Sequence, residues 1–167
     1  MTYLIELLPE GFSGSRHHQQ QAAYGLLCRL IGETTPLSHH ANGQPYLPAY
    51  PNLHISISHC RAAVAVAVSE RRAVGIDIES RRKVSPSLLQ RTCTAEEIDA
   101  IQSAADPQMA FLQFWTRKEA VLKCRGTGIQ GFGSMVAALS DSRYTVSDLD
   151  CGHPDLVAAL AEDLMDE

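Results

Sequence analysis

The chain has 167 residues, 45% of them hydrophobic and 20% charged, with a formal net charge of -5 and a pI near 5.8. A chain of this length buries roughly 70% of its unfolded surface in one core, so no disulfide or structural metal is needed for stability. The acidic balance excludes a nucleic-acid binder held by bulk positive charge. The cysteines Cys28, Cys60, Cys93, Cys124 and Cys151, an odd number without a C-x-x-C pair, read as reduced thiols of a cytoplasmic protein.

The opening run MTYLIELLPEG is too short for a membrane span and lacks the basic start of a secretory signal. No other stretch approaches a span in length, so a soluble protein with no membrane partner is expected. Residues 2–8 read as a strand ended by the cluster Pro9, Gly11, Ser13 and Gly14. Arg16 to Ile31 reads as a helix, with Ala22, Ala23, Leu26, Leu27, Leu30 and Ile31 at helical spacing and Gly32 as its stop. A proline-rich loop follows. No repeat or low-complexity linker divides the chain, and residues 1–167 read as a single domain.

From residue 53 the texture is β: HISISH, AVAVAVS and AVGIDIES each alternate, with turns near residues 60–62 and 70–72. In the second of these strands Val64, Val66 and Val68 share one face and small alanines the other, which suits close packing against a helix or a second layer. After Arg81, Arg82 and Lys83 the pattern turns helical. Thr94 and Glu97 have capping-box spacing, and Asp106 with Pro107 opens a further helix that Gly126 and Gly128 end. Residues 134–139 and 143–146 read as two short strands, while 155–167 fit helix or strand equally.

The chemistry concentrates in two places. Asp77 and Glu79 stand two apart on a predicted strand, so both carboxylates leave one face. Like charges so close repel unless a cation lies between them, and oxygen ligands without His or Cys favour magnesium; two solvated acids at a strand end are the alternative. On the helix through residues 114–126, turned at about 100° per residue, Glu119 and Lys118 fall within the apolar arc of Phe111, Phe114, Trp115, Val121 and Leu122, and Lys123 lies one turn beyond Glu119. A charge on a buried arc needs a partner. An internal ion pair would supply one, and so would a site in which metal and ammonium neutralise phosphate oxygens while Glu119 takes a proton. Ser58 and His59 end a strand where they could grip phosphate, and no G-x-S-x-G elbow or zinc spacing is present.

GQPYLP at 43–48, SISHC at 56–60, VGIDIE at 74–79 and FWTRKEAVLKCRGTGI at 114–129 together resemble the ordered motifs of the 4′-phosphopantetheinyl transferases, in the surfactin-synthetase-activating (Sfp) type. The resemblance implies an α+β fold of two pseudo-symmetric α/β halves, near residues 1–73 and 74–167, with the cofactor-substrate cleft between them. It implies a monomer that moves the 4′-phosphopantetheine arm of coenzyme A onto a serine of an acyl or peptidyl carrier protein. Carried over motif by motif, it implies magnesium held by Asp77, Glu79 and Glu119, with Glu119 and Lys123 catalytic. Ser58, His59, Lys118, Lys123, Gly43 and Pro45 would then contact coenzyme A. Gln44 stands where the motif usually has lysine, which leaves open a non-catalytic member that binds coenzyme A or a carrier. Arg71, Arg72, Arg81, Arg82, Lys83, Arg117 and Arg125 are expected to form a basic rim for an acidic carrier.

Overall fold

The computed structural model describes residues 1–9, 14–127 and 132–165; the predicted turn residues Gly11 and Ser13 and the motif residues Gly128 and Ile129 lie outside that set. In chain order the elements are β1 (Thr2–Leu7), α1 (Arg16–Ile31), the short strands β2 (Ser38–His39) and β3 (Pro45–Tyr46), β4 (His54–His59), β5 (Ala63–Ser69) and β6 (Val74–Ser80). They continue as α2 (Pro86–Thr92), α3 (Ala95–Ser103), α4 (Pro107–Arg125), α5 (Phe132–Ala137), a 3-10 turn (Ala138–Ser140), β7 (Tyr144–Leu149) and β8 (Leu156–Asp163).

The strands form two antiparallel three-stranded sheets, ordered β1-β5-β4 and β6-β8-β7, and a two-stranded ribbon of β2 and β3. The alternation within β5 decides how the sheets stack. Its Val64 and Val66 pack under Ala23, Leu26 and Leu27 of α1. The alanine face, Ala63, Ala65 and Ala67, meets not a helix but the second sheet, through Val74, Ile76 and Ile78 of β6 and Leu156, Ala158 and Leu160 of β8. The far side of that second sheet carries α4, whose Ala120, Val121 and Leu122 pack on Ala159 and Ala161. The layers run helix, sheet, sheet, helix, an α+β architecture in which α1 and the first sheet are complete at Ser69 and the second sheet begins at Val74.

The helices begin where the sequence signals place them. Ser15 accepts from the His18 amide, the Thr94 hydroxyl and Glu97 carboxylate close a capping box, and Asp106 accepts from the Met109 amide ahead of Pro107. Gly32 and Gly126 end α1 and α4 in the left-handed region at φ 92° and 71°. No helix among the described residues is long and apolar enough to cross a membrane, and the five cysteines are free thiols.

Two expectations change. The segment 134–139, predicted as a strand, is α5 and the 3-10 turn, because Met135 and Ala138 are buried together at helical spacing against α4. The stretch LVAALAED, ambiguous in sequence, is the central strand β8; buried on both faces, it has no polar side to reveal its period.

Candidate active site

The position of α4 on β6 is set by one glycine. A Cβ at Gly75 would lie 1.9 Å from the Ala120 carbonyl oxygen and 2.5 Å from the Cys124 amide nitrogen. Only a residue without a side chain lets the helix lie backbone to backbone on the strand. The contact places Glu119 and Lys123, one turn apart, over the face of β6 that carries Asp77.

The ammonium of Lys123 donates to Asp77 Oδ1 at 2.7 Å and to the Ile76 carbonyl at 3.0 Å. The same Asp77 oxygen accepts from the Ser58 hydroxyl at 2.8 Å. Ser58 and Ser56 also accept from the amides of Ile78 and Ile76, at 3.3 and 3.0 Å. The unpaired edge of β6 is thereby satisfied by side chains of β4, the edge strand of the other sheet, and the seam between the sheets runs under the site. Asp77 Oδ2 is buried without a hydrogen-bond partner among the described residues, which is costly for a carboxylate oxygen.

Three carboxylates share this field. Burial, then the neighbouring Asp77, push the Glu119 carboxyl up from its ordinary 4.5 to about 7, with Lys123 opposing and Glu79 adding to the rise. Burial also raises Glu79, against the pull of Arg82, whose Nη2 and Nε donate to its two oxygens at 3.3 and 3.4 Å. Among the described residues no three His, Cys, Asp or Glu side chains are gathered into a metal cage. Asp77 is paired with Lys123 and Glu79 with Arg82. The donor set still fits a hard divalent cation: three acids with oxygen donors only, one of them presenting a buried oxygen that no described residue satisfies.

His59, half-buried, has its pKa lowered by burial and then by Lys123 and Arg16, with Asp77 opposing. The field at the imidazole brings in Arg16, the first residue of α1, which no motif singled out. Gly43 and Pro45 line a pocket of about 170 Å³ with Gln44, Ile57, Lys123 and Gly126. Asn42, which no motif singled out, donates to the Gly126 carbonyl at 2.6 Å, and a Cβ on Gly126 would meet Gln44 Oε1 at 2.6 Å. The loop thus latches onto the end of α4, and Gln44 is part of that latch.

Two assigned residues sit differently from expectation. Ser58 is buried, and its hydroxyl is committed to Asp77 and the Ile78 amide rather than offered to a phosphate. Lys118 is only 1% exposed, and its ammonium donates to the Thr92 carbonyl at 2.6 Å and to Glu97 at 2.5 Å. In this structure its charge ties α4 to the junction of α2 and α3, and the expected coenzyme A contact would require it to leave those partners. The basic rim is also largely spent, since Arg81 pairs with Asp106 and Asp155, Arg82 with Glu79, Arg117 with Asp148 and Arg125 with Asp141.

Residues 73–161, just over half of the chain, match the family model of the 4′-phosphopantetheinyl transferase superfamily. A 4′-phosphopantetheinyl transferase of Bacillus subtilis is 30% identical over 114 residues, covering 66% of this chain and 50% of the relative. The 4′-phosphopantetheinyl transferase psf-1 of Bacillus pumilus is 36% identical over 103 residues, 60% of this chain and 44% of the relative. A putative 4′-phosphopantetheinyl transferase of Haemophilus influenzae is 34% identical over 126 residues, 68% and 53% of the two chains. The chain spans about half the length of these relatives.

Proposed function

Because the chain belongs to the 4′-phosphopantetheinyl transferase superfamily, we propose that it transfers the 4′-phosphopantetheine arm of coenzyme A to a serine of an acyl or peptidyl carrier protein, with magnesium as cofactor. The observation that carries this reading is the convergence of Glu119 and Lys123 of α4 on Asp77 at the seam of the two sheets. A proton acceptor, an ammonium and an acid set for a cation are the groups that phosphoryl transfer to a hydroxyl requires.

In this reading Glu119 takes the proton from the serine hydroxyl as its oxygen forms a bond to the pantetheine-bearing phosphorus. The pyrophosphate P–O bond breaks, and adenosine 3′,5′-bisphosphate leaves with the electron pair. A carboxyl titrating near 7 is matched to that task at neutral pH. Lys123 would stabilise the departing phosphate, and Arg16 would add positive charge beside His59, whose lowered pKa favours the neutral imidazole. Asp77, Glu79 and Glu119 would hold magnesium, which when bound supplies charge neutralisation at the phosphate oxygens. The pocket of Gly43, Pro45 and Lys123 would receive part of coenzyme A. Ser58 would act through Asp77, as a positioning residue. A monomer in the cytoplasm accords with this role.

The test is to incubate the protein with coenzyme A, magnesium and a broad panel of apo carrier proteins, and to look by mass spectrometry for the phosphopantetheine adduct. An adduct that disappears without magnesium is expected. No adduct on any carrier overturns the transferase reading, and an adduct formed equally in chelator overturns the metal.

A further inference from the structure

Arg82 follows the strand that carries Asp77 and Glu79, in a run of three basic residues, yet it is not free for an outside partner. Its neighbour Arg81 is fixed between Asp106 at 2.8 Å and Asp155 at 2.6 Å. Arg82 turns back, its guanidinium forking over both oxygens of Glu79 at 3.3 and 3.4 Å. These are long contacts, at the outer edge of hydrogen-bonding range, unlike the 2.7 Å between Lys123 and Asp77. The Arg82 side chain is 37% exposed, so it has room to move. A second partner is already at hand: the guanidinium carbon lies 5.6 Å from the ring centroid of Trp115, within cation–π reach. Trp115 is itself held by Phe111 and by the partly buried packing of α4, one turn before Glu119.

We propose that Arg82 is a placeholder cation: it neutralises Glu79 while no metal is bound, gives Glu79 up when a divalent cation arrives, and rests on the Trp115 indole with its charge free for the anionic substrate. The proposal rests on the magnesium reading of Asp77, Glu79 and Glu119. Its physical basis is competition for one carboxylate. A guanidinium spread over both Glu79 oxygens repels a second cation at the same oxygens, so metal can use Glu79 fully only when Arg82 leaves. Releasing it adds a positive charge beside the site as the substrate's phosphates arrive. Metal and anion therefore favour each other's binding through Arg82, a coupling that must be reciprocal.

The experiment titrates Mg²⁺ into the metal-free protein by calorimetry, without and with coenzyme A, for the parent chain, Arg82→Gln and Arg82→Lys, with thermal melts to verify folding. Loss of the competing charge should tighten Mg²⁺ binding to Arg82→Gln by roughly three- to tenfold in the absence of coenzyme A, with Arg82→Lys nearer the parent. Coenzyme A should enhance Mg²⁺ affinity more in the parent than in Arg82→Gln. If Arg82→Gln melts early, Arg82→Met replaces it in the same titration. Unchanged or weaker Mg²⁺ binding in the neutral variant, with Mg²⁺ bound by the parent, overturns the placeholder role and leaves the transferase reading intact. No Mg²⁺ binding by the parent overturns the metal assignment itself, and the placeholder with it.

Discussion

Replacing Glu119 by glutamine should abolish transfer and yet stabilise the metal-free protein above neutral pH. The Glu119 carboxyl titrates near 7 in the folded chain against an ordinary 4.5, because it is buried beside Asp77. Below pH 4.5 it is protonated in both folded and unfolded states, and folding is indifferent to it. Between 4.5 and about 7 the unfolded chain releases the proton while the folded chain keeps it, so stability falls across that window and stays lowered above it. At about 1.4 kcal/mol per pH unit the whole interval would cost roughly 3 kcal/mol; partial exposure of the side chain screens this to an expected 1–3 kcal/mol, on the order of several degrees in Tm for a chain of this size. Urea denaturation in chelator from pH 4 to 8 reads the effect directly. The parent and Glu119→Gln should coincide at pH 4 and diverge as pH rises, the variant being the more stable at pH 8. Added Mg²⁺ should then raise the parent at pH 8 more than at pH 5.5, since a metal takes the ionised carboxylate. Parallel pH profiles for the two proteins would refute the claim that Glu119 faces the other acids.

Gly75→Ala should displace α4, because its methyl meets the Ala120 carbonyl oxygen at 1.9 Å; a loss of at least about 2 kcal/mol in denaturant with loss of transfer is expected, and a parent-like melt with full turnover would refute the role given to that contact. Lys118→Met should lower stability by roughly 3 kcal/mol, since it leaves Glu97 and the Thr92 carbonyl without their cation. The KM for coenzyme A of the folded fraction should be unchanged, and a raised KM would return Lys118 to the phosphate site. With four of the rim arginines paired internally, the KM for a carrier should change by less than about threefold between low and physiological salt; a steep rise would restore electrostatic docking.

The parts of the fold legible in the sequence are those whose two faces differ. β4 and β6 alternate because one side of each meets apolar core and the other meets polar groups, and α1 and α4 carry capping residues whose chemistry is local. β8 was illegible for the opposite reason, being covered by the first sheet on one side and α4 on the other. The short strands β2 and β3 follow from the closure of the loop on Gly126, a contact across 84 residues that no local pattern carries. The acids and Lys123 could be found by type and spacing, but their partners could not. Which cation holds Asp77 depends on where α4 and the two sheet edges meet.

Lys118 and Glu119 show most directly what spacing leaves undetermined. Both fall on the apolar arc of α4, and a single shared site would explain them both. Adjacent helical residues diverge by about 100°, however, and α4 has packing on more than one side: β6 and β8 beneath it, α3 beside it. Lys118 turns to the α2–α3 junction, where a capping-box carboxylate and a helix-end carbonyl accept from its ammonium. Glu119 turns to β6, where its nearest charges are another carboxylate and Lys123, and its carboxyl is pushed up rather than quieted. One buried charge has been matched and the other left in tension. That asymmetry, more than burial or motif alone, separates the residue that holds the helix in place from the residue expected to do chemistry.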